Sequence, residues 1–310
     1  MTVAAALLAT AGLTGLLAPR QLVRLAARGA DPLVPLLAWL ASTVSVVATA
    51  ALAVTLLLLP DHGSHVLARA HECWSSLEHG MAPSVEAAGG AVGLVLLAGL
   101  LVRLTVVSVR GTRRRASRRR DHLAALRVAA RREPGSPPTL WLDHDEPLAF
   151  SLAGTPGVVV ATEGLHRRLT HEQVEAVLAH ERAHLKGRHH LLVAAGDALS
   201  TVLPFLPLFR RAPGVVRELV ELAADAAAVR TCGVETVRAA LLGVSGDGAP
   251  GSALAMGRDS VQVRLDLLAR RRRPDSVRSL LTYGAACAAA MVVPTIAAFT
   301  GLLALIMVAC

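Results

Sequence analysis

The stretch Thr170–His190, THEQVEAVLAHERAHLKGRHH, decides how the rest of the chain is read. Thr170 and Gln173 have the T-x-x-Q spacing of a capping box, and Val174, Val177 and Leu178 follow at helical intervals. This predicts a helix opening at Thr170 with one apolar face. His180 and His184, four residues apart, project from one face of that helix, and Glu181 lies beside them. Two imidazoles so placed can hold one zinc ion, whose bonds to histidine nitrogen are about 2.0–2.1 Å. Glu181 stands where a carboxylate can take a proton from water acidified by the metal and pass it to a leaving amine. The same H-E-x-x-H pattern also occurs in ordinary helices with two solvated histidines. Its weight therefore rests on the capping box, the apolar stripe and the acids downstream.

A longer pattern, H-E-x-x-H-x-x-G-x-x-H, fits the same stretch, with Gly187 as the glycine and His190 as a third histidine ligand. This metzincin arrangement asks the chain to turn at Gly187 and to place a methionine beneath the site, for which Met256 is the nearby candidate. After His190, however, comes an apolar run, Leu191 to Phe209, that reads as continued helix. The gluzincin arrangement takes its third ligand from a second helix. Pro213-Gly214 opens such a helix and Gly233 closes it. Between them stand Glu218, Glu221 and Asp225 among alanines and leucines. Glu221 and Asp225 share a face, so one can complete the zinc site while the other accepts a hydrogen bond from a ligand imidazole. Glu218 is an alternative to Glu221, and a pair of solvated acids is the simplest alternative to both. His189 and His190 read as solvated or interfacial.

Composition places this helix in a membrane protein. Of 310 residues, 53% are hydrophobic, with a mean hydropathy of +0.51, and the apolar residues gather in long uncharged runs. Thr2 to Leu17 is short for a span, and Pro35 to Leu59 is 25 residues without a charge. Ala87 to Val109 is broken only by Arg103, close enough to its end to snorkel, and Ser279 to Cys310 is uncharged throughout. No basic segment precedes the first run and no small-residue cleavage site follows it, which favours a retained helix over a removable signal. Arg20, Arg24 and Arg28 follow the first run, whereas the loop at 60–86 is acidic. Seven arginines lie between Arg110 and Arg120. The positive-inside rule then puts the N- and C-termini outside and the central region in the cytoplasm.

The net charge of +9 sits at membrane exits, which suits topology and anionic lipid better than nucleic acid, so no direct nucleic-acid binding is expected. Four cysteines are too few for a disulfide framework. Cys232 and Cys287 read as free, and Cys73 and Cys310 fall on the outer side, where a bridge is open to them.

The expected fold is a mainly α polytopic membrane protein. Three transmembrane helices occupy 1–109 with an outer loop at 60–86, a basic and mostly helical connector occupies 110–138, an α+β zinc-peptidase domain occupies 139–275, and a fourth transmembrane helix occupies 276–310. Leu140 to Leu142, Leu148 to Leu152 and Val158 to Ala161 read as strands of a small sheet before the active-site helix, the last two separated by the turn Gly154-Thr155-Pro156-Gly157. A crossing of the bilayer by Leu191 to Phe209 would strand Glu221 on the wrong side. Asp197, Pro204 and Pro207 favour a hairpin or buried helix that returns to the cytoplasmic side.

Leu148–Leu152, Val158–Gly164, the helix ending His180–His184 and the later Glu221–Asp225 together resemble the BlaR/MecR family of membrane metallopeptidases, relatives of the HtpX-like and CAAX prenyl endopeptidases. The resemblance covers about residues 140 to 275. It implies a gluzincin zinc endopeptidase with His180, His184 and Glu221 as ligands, Glu181 as general base and acid, and Asp225 supporting a ligand from behind. It also implies Zn2+ as cofactor and a cytoplasmic protein substrate, a transcriptional repressor in the best-known members, with self-cleavage accompanying activation. The penicillin-binding sensor that those members carry after the fourth span has no counterpart before Cys310. Arg264 is similar in setting to an arginine of the wider HtpX-like group and is a candidate oxyanion partner. An ordinary surface arginine is the simpler alternative.

The outer loop holds His62, His65, His71, Glu72, Cys73 and His79, donors suited to copper or zinc, although a solvated loop is the simpler account. Two other functions compete with cleavage of a repressor. One is an HtpX-like quality-control protease of membrane proteins, and the other a non-catalytic membrane scaffold with structural zinc. A purely structural site has no need of Glu181 and favours four protein ligands.

Overall fold

The computed structural model describes residues 2–27, 32–58, 83–244 and 264–265. The N-terminal part is three helices, α1 (Thr2–Ala27), α2 (Leu33–Leu58) and α3 (Pro83–Ala129). Among the described residues, two stretches are long and apolar enough to cross a membrane, Leu33–Val54 in α2 and Ala91–Leu126 in α3. Large apolar side chains of α3, including Val92, Val95, Leu96 and Val102, are exposed, as suits a helix facing lipid. The uncharged part of α1 ends before Arg20, but the helix continues through Arg24 and packs along α2. The expected fourth span at 276–310, the outer-loop histidines and Cys73, Cys287 and Cys310 lie outside the described residues.

The third apolar run and the arginine cluster are one uninterrupted helix of 47 residues, so α3 rises about 70 Å in all. That is more than twice the roughly 30 Å of a hydrocarbon core, and the excess forms a basic stalk. At its end the expected helical connector gives way to a strand, β1 (Ala130–Glu133). Its residues, Ala-Arg-Arg-Glu, carry no alternation of apolar and polar types. The strand exists because it pairs antiparallel with β2 (Thr139–Leu142), and because Trp141 Nε1 donates to Glu133 at 2.5 Å.

Two further strands, β3 (Ala149–Leu152) and β4 (Val158–Thr162), complete a sheet of order β1-β2-β4-β3, with β2 and β4 parallel and β3 antiparallel to β4. β4 is buried at all five residues, which explains its unbroken apolar run. Its side chains divide between two layers. Val158 and Val160 meet Leu123 of the stalk, while Val159 and Ala161 share a core with Val174 and Leu178 of the next long helix.

The helical part comprises α4 (Glu163–Arg168), α5 (His171–Lys186), α6 (His189–Val202), α7 (Pro207–Cys232) and α8 (Val234–Val244). α6 and α7 pack on each other and reverse at Leu203–Leu206, so the apolar run after His190 is the expected returning hairpin. α7 opens at Pro207 rather than at Pro213-Gly214. Proline suits a first helical turn, and Pro213 lies inside the helix. The helix closes at Gly233, whose φ of +84° favours glycine.

The hairpin tip is lodged among the N-terminal helices. Val202, Leu203, Leu208 and Phe209 form one core with Leu22 of α1, Trp39 and Val46 of α2, and Leu100 and Leu104 of α3. Arg103, expected to snorkel, instead donates from Nη2 to the Thr201 carbonyl at 3.0 Å, beside the end of α6. Phe205 at the turn is 70% exposed.

Candidate metal centre

α5 begins as its sequence dictates. The Thr170 hydroxyl accepts from the Gln173 N–H, and the Gln173 side chain accepts from the Thr170 N–H, a complete capping box. Val174, Ala176 and Leu178 are buried, fixing the helix between the sheet on one side and α7 and α8 on another. That leaves the face bearing His180 and His184 turned toward α7, which brings up Glu221 and, one turn later, Asp225.

The ligand-type atoms of His180, His184 and Glu221 lie within 4.8 Å of one another, the one such group among the described residues. The two Nε2 atoms are 3.1 Å apart; that of His180 is 3.4 Å from Glu221 Oε2 and that of His184 is 3.4 Å from Glu221 Oε1, so the carboxylate faces both rings. A tetrahedral zinc with bonds of about 2.0–2.1 Å needs ligand atoms about 3.3 Å apart, so the group fits that ion. Glu218, the alternative to Glu221, lines the large cavity beside the site and is not in the cluster.

Behind His180 stands a carboxylate. Its Nδ1 donates to Asp225 at 2.9 Å, and Asp225 in turn accepts from Arg264 Nε and Nη2, both at 2.6 Å. Burial works against the charges here, but the partners prevail. Burial would raise Asp225, yet Arg264 and His180 hold its pKa down at about 2. Burial would lower His180, yet Asp225 and Glu221 hold it up at about 9. Arg264 is not an ordinary surface arginine. Its side chain is 16% exposed, and Nη1 lies 3.6 Å from Glu221.

Behind His184 stands a different group. His189 Nδ1 is 2.9 Å from His184 Nδ1, and the rings meet edge to face with centroids 4.9 Å apart. The expectation that His189 is solvated or interfacial is therefore wrong, since it is 6% exposed. Burial first, then the neighbouring His180 charge, lower the pKa of His184, against the pull of Glu221. Burial likewise lowers that of His189.

His190 lines the cavity beside the site but is not in the cluster. Half of the longer pattern's requirement is met, since Gly187 does end α5. The chain then passes through Arg188 in the left-handed conformation (φ 49°) and resumes helix at His189 with no intervening loop. Met256 lies outside the described residues.

Glu181 sits with His180, Glu221, Asp225 and Arg264 around a second, smaller cavity. Burial raises its pKa, opposed by the His180 charge and a hydrogen bond from Ser151 of β3. The larger cavity, about 870 Å³, runs from His184 and Glu221 between α6 and α7 and is bounded by Arg115 of the stalk. An Asp197–Arg217 pair with two contacts, 2.8 and 3.0 Å, closes α6 on α7 along its wall.

Residues 112–244, which contain both helices of the site, match peptidase family M48. Two curated proteins, each named Protease HtpX homolog, are 33% identical to this chain. One, from Thermodesulfovibrio yellowstonii, matches over 82 residues, 26% of this chain and 29% of its own length. The other, from Moorella thermoacetica, matches over 87 residues, 27% of this chain and 29% of its own length. The chain thus spans about three tenths of the length of the curated relatives it matches. No solved structure matches. Residues 112–244 are thus similar to the M48 peptidases, and two helices among the described residues are long and apolar enough to cross a membrane. Both relatives carry the HtpX name, that of the wider group, rather than the BlaR/MecR name.

Proposed function

We propose that this chain is an integral membrane zinc endopeptidase in which His180, His184 and Glu221 hold the metal, Glu181 moves the proton and Asp225 supports His180. The observation that carries this reading is that the two imidazole Nε2 atoms, 3.1 Å apart, each lie 3.4 Å from one of the two Glu221 carboxylate oxygens, beside the half-buried Glu181 carboxyl. A zinc ion held by His180, His184 and Glu221 would supply Lewis acidity and lower the pKa of the water that attacks the peptide carbonyl. Glu181 receives the proton from that water and returns it to the leaving amine. Its burial raises its proton affinity, which suits a group that must bind and then release a proton.

Among the described residues β3 is the edge of the sheet and pairs only with β4, and it offers Ser151 to Glu181. An extended substrate pairing along the outer side of β3 would pass directly before the site. Arg264 has two of its nitrogens committed to Asp225, so a role at the oxyanion would fall to Nη1.

The arginine distribution supports a peptidase half in the cytoplasm with both termini outside. A cytoplasmic protein is then the substrate, and the BlaR/MecR resemblance favours a paired transcriptional repressor, with self-cleavage on activation. The HtpX names of the relatives favour a second reading, trimming of membrane proteins. The test compares wild type with Glu181→Gln in detergent, measuring bound zinc and cleavage of the chain itself, a candidate repressor and a membrane protein. The variant should keep its zinc and lose cleavage by about 10²–10⁴-fold. Cleavage that persisted would overturn the mechanism, and the substrate that disappears more slowly with the variant identifies the pathway.

A further inference from the structure

Both nitrogens of His184 have partners, and those partners fix which nitrogen would face a metal. Nε2 looks toward His180 Nε2 at 3.1 Å and a Glu221 oxygen at 3.4 Å, while Nδ1 looks toward His189 Nδ1 at 2.9 Å. A metal at the cluster takes the lone pair of Nε2, which leaves the ring's single proton on Nδ1. That proton has one acceptor within hydrogen-bond reach among the described residues, the Nδ1 lone pair of His189.

The local chain is built to deliver this ring. His184 and His189 are five apart, too far round a continuous helix to face each other. Ending α5 at Gly187 and turning through Arg188 at φ 49° swings the first residue of α6 back onto His184. A Cβ at Gly187 would run into the His189 ring, so glycine is what lets the ring approach.

We infer that His189 is a positioning residue for His184: a neutral imidazole that accepts from Nδ1 and holds Nε2 toward the metal. The inference rests on the zinc reading of the site, in which His184 is a ligand. Partners of this kind commonly change metal affinity by about 10–100-fold.

The test uses the full-length chain in detergent and measures zinc affinity by competition with a chromophoric chelator. His189→Leu keeps the bulk and removes the acceptor, and it should weaken zinc about 10–100-fold. His189→Asn places an oxygen where Nδ1 was and should restore affinity close to wild type. Gly187→Ala leaves every polar atom present but displaces the ring, and it should weaken zinc in the same sense as His189→Leu. It decides the matter if His189→Leu does not fold. Wild-type affinity in His189→Leu, or in Gly187→Ala when that alone can be measured, overturns the inference. So does a His189→Asn variant as weak as His189→Leu, because the ring would then matter for packing alone. A wild type that binds no zinc overturns the reading of the site itself and the inference with it.

Discussion

The two histidines of α5 are one helical turn apart and meet the same glutamate, yet the protein backs them with opposite chemistry. His180 is backed by Asp225, an anion whose charge is held in place by Arg264. His184 is backed by His189, a buried ring whose proton affinity is lowered by burial. An ionic partner brings both firmness and cost, because each buried charge depends on its counter-charge. A neutral partner directs the proton without that dependence. The difference teaches that the site is anchored on one side and only oriented on the other.

The largest expected break in this comparison comes from Asp225→Ala. It leaves the Arg264 guanidinium buried without its carboxylate, which should lower the stability of the metal-free protein by about 3–5 kcal/mol, seen as a lower thermal midpoint. If the metal-free midpoint of Asp225→Ala stays at the wild-type value, the anchored side is no anchor.

A second expectation concerns pH in protein stripped of metal. His180 holds its proton to about pH 9. A raised histidine contributes stability fully below about pH 6.5, the unfolded value, and loses it as pH rises through the folded value. His184 is shifted the other way by burial and by the charge on His180. Its contribution is therefore present above about pH 6.5 and declines as pH falls below it. Imidazole proton resonances followed from pH 4 to 10 should show the two rings titrating on opposite sides of the usual range. Coincident titration would erase the contrast.

The smallest effect is also the most even-handed. Thr170→Ala removes the cap of the helix that carries both rings and should cost about 1 kcal/mol, read by thermal or chemical denaturation. It should weaken zinc binding equally from either side, so combining it with changes at Asp225 or His189 should give additive losses.

Much of this arrangement is legible in the sequence because it is local. The capping box, the apolar stripe of α5, the run of β4 and the four-residue spacing of Glu221 and Asp225 each declare themselves within a few residues. The hidden features depend on pairing across the chain. β1 has no apolar pattern because its role is to pair with β2 and offer Glu133 to Trp141. His189 is invisible to helical spacing because a left-handed residue, Arg188, intervenes. Its one local clue is Gly187, which also satisfies the longer histidine pattern and so suggests a different enzyme. The start of α7 is misplaced because two prolines, Pro207 and Pro213, compete for one boundary, and it is the first that falls at the turn after Leu203.

The stalk helix α3 touches the rest of the molecule at successive heights. Arg103 holds the Thr201 carbonyl among the apolar helices, Arg115 borders the large cavity, Arg119 donates to the Pro156 carbonyl at 2.9 Å, and Leu123 is buried under the sheet. From Arg103 to Arg115 the rise is about 18 Å with no break in the helix. The protein thus carries its own depth gauge: the height of the cavity above the hairpin tip is set by the pitch of a single helix, and a tilt or turn of α3 in the bilayer reaches the cavity wall with no joint in between to absorb it.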